Sequence, residues 1–286
     1  MIYNKSGILG EMEWMWMFEW FATANPILQA TLAGVFTWSM TTLGSALVFF
    51  FNEINRRILD IMNGFAAGIM IAASFWSLLA PSIEYAEAGG WGRFAFVPAL
   101  IGFIVGGLFL RLIDYITPHL HMGQNKMDAE GPKTKLPATT LLFLAVTIHN
   151  IPEGLSVGVA YGANEFNAAS LASALVLTMG IGLQNFPEGS ALSMPIRAEG
   201  ASKWRAFQLG QASALVEIVG AALGALLVSQ VTVILPYALA FAAGAMIFVC
   251  VEQLIPESQS HGNSDIATVA LLIGFGVMMT LDVALG

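Results

Sequence analysis

Long apolar stretches, separated by short polar or glycine-containing turns, recur along the whole chain. They predict helices over about 26–51, 58–82, 94–114, 137–161, 167–195, 204–228, 232–256 and 265–285. Each stretch holds the roughly 20 apolar residues that a helix needs to cross a bilayer. The pattern fails at 115–136, where His119, His121, Lys126, Asp128, Glu130, Lys133 and Lys135 gather with Gly and Pro; this reads as a solvated loop. Ahead of residue 26, Trp14, Trp16 and Trp20 mix with Glu11, Glu13 and Glu19. That mixture suits a helix lying among lipid headgroups, with an extra span as the alternative. The expected fold is therefore an all-α membrane protein of about eight transmembrane helices. Its blocks are 1–25 (interfacial), 26–114 (spans one to three), 115–136 (loop), 137–195 (spans four and five) and 196–286 (spans six to eight).

Composition agrees with this reading. The chain has 286 residues, 57% hydrophobic and 10% charged, with a mean hydropathy of +0.73, whereas a soluble surface takes roughly 25% charged residues. The net charge of -8 is not a surface field, because several acids lie inside apolar stretches. One cysteine, Cys250, excludes an intrachain disulfide, a cysteine zinc cluster and a thiol redox pair. No cleavable signal peptide is expected from the first residues. Arg56, Arg57, Arg111, Lys126, Lys133, Lys135, Arg197, Lys203 and Arg205 come after odd-numbered spans and are nine of the 11 basic residues. The positive-inside rule puts that side in the cytoplasm and both termini outside.

Span two carries Phe65-Ala66-Ala67-Gly68-Ile69-Met70, with Pro81 sixteen residues after Phe65; span seven carries Phe241-Ala242-Ala243-Gly244-Ala245-Met246, with Pro256 fifteen after Phe241. The two spans run in opposite directions, so the echo is that of an inverted-repeat transporter. Ordinary small-residue helix packing is the bland alternative. Gly64, Gly68, Gly220 and Gly224 are expected to allow close helix contacts.

Span four contains His149-Asn150-Ile151-Pro152-Glu153-Gly154 and span five Gln184-Asn185-Phe186-Pro187-Glu188-Gly189. An unpaired ionised acid in mid-membrane costs several kcal/mol, two on adjacent helices repel, and no Lys or Arg stands in a nearby span. A bound cation resolves both problems. Positions three and four apart share a helix face, so His149 and Glu153 point together, as do Gln184 and Glu188. Each proline frees the carbonyl four residues earlier, on Ile148 and Leu183, for a metal or water. Imidazole with carboxylate and amide oxygen suits zinc and its first-row neighbours better than calcium or magnesium. The alternative is a pair of proline kinks whose protonated acids hydrogen-bond across the bundle.

HNIPEG followed 35 residues later by QNFPEG resembles the ZIP family of metal transporters, in its GufA-like branch, over essentially the whole chain from span one. The resemblance implies a 3+2+3 arrangement, with spans one to three and six to eight as inverted repeats around spans four and five. It implies movement of divalent zinc, and of iron, manganese or cadmium, towards the cytoplasm across the cell (inner) membrane. It also implies a binuclear centre. One position would take Met70, His149, Glu153, Gln184 and Glu188; the other Asn150, Glu153, Asn185, Glu188 and Glu217. Some relatives have aspartate where this chain has Asn185, which weakens the second position. Read from residues alone, Met70 is a core methionine and Glu217 an isolated acid of span six.

Glu252 and Glu257 are candidates for an inner exit path, Asp282 for capture at the outer mouth, and His119 with His121 for a loop site. Asp60 reads as a solvated helix-start acid and His261 as a plain loop residue. The expected mechanism is alternating access, elevator-like by resemblance, with a metal-selective pore on the same ligands as the alternative. An intramembrane metalloenzyme is disfavoured, because no second histidine stands four from His149; the chain reads as a non-enzyme. No cofactor is expected, Zn2+ or another divalent ion being the substrate. Expected partners are those ions and the lipid bilayer, with a homodimer as the assembly allowed for and no nucleic acid.

Overall fold

A computed structural model of the protein describes residues 16, 18–51, 55–120, 129–163 and 169–285. Among them the chain is almost wholly helical. The elements are α1 (Pro26–Phe50), α2 (Arg56–Phe94), α3 (Phe96–Ile116), α4 (Ala138–Ala163), α5 (Ala169–Ala198), α6 (Lys203–Gln230), α7 (Leu235–Gln259) and α8 (Ser264–Leu285). Among the described residues, seven of these are long and apolar enough to cross a membrane. The fold is that of an all-α, multi-pass membrane protein. At 30 residues α5 is the longest uninterrupted α-helix, and it carries Gln184, Asn185 and Glu188. His121 and most of the segment before α1 lie outside the described residues.

Local chemistry sets the helix starts. Asn25 accepts the amide N–H of Ile27 at 2.8 Å and Pro26 opens α1, the expected use of Asn and Pro at a helix start. Asn55 does the same for α2 through Arg57, and Ser202 for α6 through Arg205. The helix ends agree with the sequence boundaries to within a few residues except in α2, which runs on through Pro81 and past 82 to Phe94. The backbone there widens to a π turn over Ser74–Leu79. This widening spares the carbonyl that a proline would otherwise strike. The helix closes later, at Gly90, whose φ of 89° only glycine adopts readily.

Two groups of four helices result. In one, α1 packs on α5 and α6, and α4 packs on α6, α5 and α1; in the other, α2 packs on α8 and α3 on α7. Contacts of α2 with α5 and of α4 with α7 join the groups. The seams are made by glycines, at each of which a Cβ would collide with backbone of the neighbour. Gly68 faces Leu271 and Gly274 faces Phe65, closing α2 on α8; Gly244 faces Phe103 and Gly106 faces Phe241, closing α7 on α3. These are the same contacts made twice, Phe65 and Gly68 standing to Gly274 and Leu271 as Phe241 and Gly244 stand to Gly106 and Phe103. The sequence echo between spans two and seven is thus a reciprocal packing relation. Gly154 against Glu217 and Gly189 against Thr41 play the matching part in the other group, and Gly64, Gly220 and Gly224 also face neighbouring backbone closely.

The basic helix ends come together. Lys203 Nζ donates to the Phe49 carbonyl at 3.1 Å, joining the α5–α6 and α1–α2 connections. Asp60, at the start of α2, is buried and not solvated as its position suggests. Its two carboxylate oxygens meet His261 Nδ1 at 3.1 Å and the Asn263 side-chain amide at 2.8 Å, so His261 is a structural tie between α2 and the α7–α8 connection.

Candidate metal centre

Prolines 152 and 187 lie inside α4 and α5, and each is followed directly by a glutamate and a glycine. The glycine is what admits the neighbouring helix. Because Gly154 has no side chain, the backbone of α6 approaches α4 at Glu217; because Gly189 has none, α1 approaches α5 at Thr41. α6 is broken at Ala214, and Glu217 lies in the first turn after the break, where exposed amides favour a negative group.

Glu153, Glu188 and Glu217 are all buried, as are Asn150, Gln184 and Asn185. Gln184 lies beside both Glu153 and Glu188, and its Nε2 donates to Asn185 Oδ1. Asn185 Nδ2 donates to Glu217 Oε2 at 2.8 Å and to the Thr37 carbonyl at 3.2 Å. After these bonds are made, Glu153 Oε2, Glu188 Oε2, Glu217 Oε1, Gln184 Oε1 and both polar atoms of the Asn150 side chain still lack partners among the described residues. Most are oxygen acceptors, each costing about 1–3 kcal/mol if left so. The ion pairs found among the described residues serve Asp114 and Asp60, not these glutamates. Buried acceptors without donors thus come from three carboxylates and two amides, although the groups of three carboxylate or imidazole ligand atoms within 4.8 Å of one another among the described residues are formed by Asp114, His149 and Glu252 and by Asp114, His119 and Glu130.

His149 is buried on α4, one turn from Glu153. Its ligand nitrogen lies within 4.8 Å of carboxylate oxygens of Asp114 on α3 and Glu252 on α7. It therefore links the glutamate cluster to a second group nearer the basic end. Met70 is buried in the main core, its carbonyl accepting the Ser74 hydroxyl at 2.7 Å. Asp282, near the end of α8, accepts the Ser77 hydroxyl at 2.6 Å. Glu257 accepts from Asn63 Nδ2 and Gln253 Nε2.

Asp114 is the residue that the sequence pattern does not single out. It also meets His119 Nε2 at 2.8 Å and Arg111 at 3.3 Å, and with His119 and Glu130 it forms a second potential metal-holding triad. His119 pairs with Glu130 through both backbone bonds and donates its Nδ1–H to the Thr117 carbonyl at 2.8 Å. Burial pulls its basicity down. The Asp114 hydrogen bond, the Thr117 carbonyl and the charges of Asp114 and Glu130 outweigh that effect, so its pKa is raised above the usual 6.5. One signal of Asp114 is present in the sequence: it comes eight residues after Gly106, as Asp282 comes eight after Gly274.

The profile of the family described as ZIP zinc transporter matches residues 121–282. A human protein named zinc transporter ZIP11 is 42% identical, over 92% of this chain and 98% of its own length. Zinc transporter ZIPB of Bordetella bronchiseptica is 37% identical over 90% of this chain and 81% of its own. Zinc transporter GufA of Myxococcus xanthus is 36% identical over 89% and 98%.

Proposed function

Because the chain belongs to the ZIP family of zinc transporters, a family of metal transporters and not of enzymes, we propose that it carries zinc across the membrane through the buried cluster of Glu153, Glu188 and Glu217. The observation that carries this reading is the set of unpartnered oxygens on those three acids and on Gln184 and Asn150. Zinc is the proposed substrate, with other divalent first-row ions and cadmium as competitors, since oxygen and imidazole ligands do not separate these by type alone.

Two adjacent positions are proposed. His149, Glu153, Gln184 and Glu188, with Met70 sulfur, would hold one ion; Asn150, Glu153, Asn185, Glu188 and Glu217 would hold the second. Asn185 donates a hydrogen bond to Glu217 where an acid would add charge, so the second position is the weaker. His149 then hands the ion to Asp114 and Glu252, and His119 and Glu130 extend that path at the basic end. Asp282, with one oxygen unpartnered, stands at the opposite mouth.

The proposed topology has eight spans, α5 being the eighth, with the basic ends in the cytoplasm and transport directed towards them. Residues 26–114 and 196–286 then form the two repeats around 137–195. Alternating access is supported by the two four-helix groups: α1, α4, α5 and α6 hold the glutamates, while α2, α3, α7 and α8 frame them, and a slide of the first group against the second would expose the cluster to each side in turn. The decisive test is uptake of zinc by the purified protein in proteoliposomes, alone and against competing metals. Saturable uptake with counterflow supports the carrier, uptake linear in concentration supports a pore, and no uptake ends the reading.

A further inference from the structure

A π turn interrupts each of two helices ahead of a proline, Ser74–Leu79 in α2 and Cys250–Leu254 in α7, while a third, Glu87–Trp91, lies at the far end of α2. Each of the first two is closed by a backbone bond from a residue to the carbonyl five earlier, Ala80 to Phe75 and Ile255 to Cys250. In both helices the donor is the residue directly before a proline, Pro81 or Pro256. Proline alone does not produce this, because α4 and α5 carry Pro152, Pro187 and Pro195 without leaving the α register. A π turn is poorer in energy than the α turn it replaces and persists mostly where it serves a site.

The two turns share a spacing from their prolines. The residue four before Pro81 is Ser77, and the residue four before Pro256 is Glu252. Ser77 meets Asp282 of α8 at 2.6 Å; Glu252 lies within 4.8 Å of Asp114 of α3. Those two aspartates are themselves equivalent, each eight residues after the glycine that seats its helix on the other repeat, Gly274 on Phe65 and Gly106 on Phe241. One pair lies at the basic end of the framework and the other at the far end, as inverted copies must. The extra residue of a π turn rotates the helix beyond it by about 100° relative to an unbroken α-helix. It thereby decides which side chain faces the partner helix.

We propose that the two π turns are the register devices of the two mouths, each swinging the residue four before its proline onto the aspartate of the partner helix. A return to α register at one turn disables the mouth at that end and leaves the central cluster intact. This rests on the transport reading, and it assigns to α2 and α7 a positioning function that the binding residues do not supply.

The test deletes one lipid-exposed residue from each turn, Phe75 or Val251, and measures zinc uptake in proteoliposomes alongside zinc binding to the same purified proteins. Vesicle sidedness is fixed, so that zinc is offered at one known face. Parting Ser77 from Asp282, or Glu252 from Asp114, is expected to slow transport roughly tenfold, while zinc binding at the centre is retained. Deletion of Phe75 should act on loading from the face of Asp282, and deletion of Val251 on release at the basic face. Where a deletion does not insert, Pro81→Ala and Pro256→Ala carry the test, with hydrogen exchange at 74–79 and 250–254 reporting the register. Wild-type transport by variants that have regained α register overturns the inference. Absence of uptake by the unaltered chain overturns the transport reading instead, so the two failures are distinguishable.

Discussion

Asn185 donates its side-chain amide to the Glu217 carboxylate at 2.8 Å. This bond ties the ligand turn of α5 to the broken helix α6 without a metal. Asn185→Asp would set two carboxylates against one another in a dry site, at a cost on the order of several kcal/mol when no cation is present. The variant is expected to melt earlier than the wild type in chelator and to gain more from added zinc, so that the zinc-induced shift in Tm grows. Equal shifts in both proteins would remove Glu217 and position 185 from the binding site.

Glu188 occupies the point where both proposed ion positions meet. Glu188→Ala is expected to abolish zinc and cadmium uptake while the protein still expresses and inserts, a larger loss than the roughly 10–100-fold caused by removing an outer partner. Uptake in proteoliposomes decides this, and unchanged rates would rule out the proposed centre.

His119 provides the pH dependence. Its raised pKa means that the folded loop binds the proton more tightly than the unfolded one. The contact with Asp114 and Glu130 therefore contributes its full stability below about pH 6.5. That contribution is lost as pH rises through the folded value. Hydrogen exchange at residues 117–120 and 129–130 should quicken beyond the intrinsic rate over that interval, and His119→Gln should abolish the extra dependence.

The reciprocal seams of the framework make a paired prediction. A Cβ at Gly106 would strike the Phe241 backbone, and one at Gly274 the Phe65 backbone. Alanine at either is expected to cost about 1–3 kcal/mol. Gly276, on α8 with nothing within 4 Å of such a Cβ, should accept alanine without loss. Thermal unfolding in detergent checks all three, and a tolerant Gly106→Ala would mean that α3 and α7 are not held at this distance.

The fold is legible in the sequence because its signals are local. Eight apolar stretches correspond to eight helices, most ending within a few residues of the sequence limits, and the FAAG echo points to the glycines that seat each repeat on the other. HNIPEG and QNFPEG can be read because proline and acid in a mid-membrane run have few innocent explanations. Asp114 is hidden for the opposite reason: it falls at a helix end, where an acid is commonplace, and only the fold brings it to His149 and Glu252. Asp60 misleads in the same way, since its partners His261 and Asn263 stand about 200 residues away. The π turns leave one trace in the sequence. The spacing from motif to proline is sixteen residues in span two and fifteen in span seven, and the longer turn of α2 absorbs the difference.

The polar stripe of α5, formed by Gln184, Asn185 and Glu188, bears on biosynthesis. A segment carrying Gln184, Asn185 and Glu188 is a poor lodger in lipid on its own, and nothing in its own sequence shelters that stripe. Part of its shelter is α1, synthesised well before it, with Gly44 set against Phe186, Thr41 against Gly189 and the Thr37 carbonyl accepting from Asn185. α1 must therefore wait in the bilayer as a dock for α5, and damage to that dock will show as failed insertion of α5 well before it shows as a defect in handling metal.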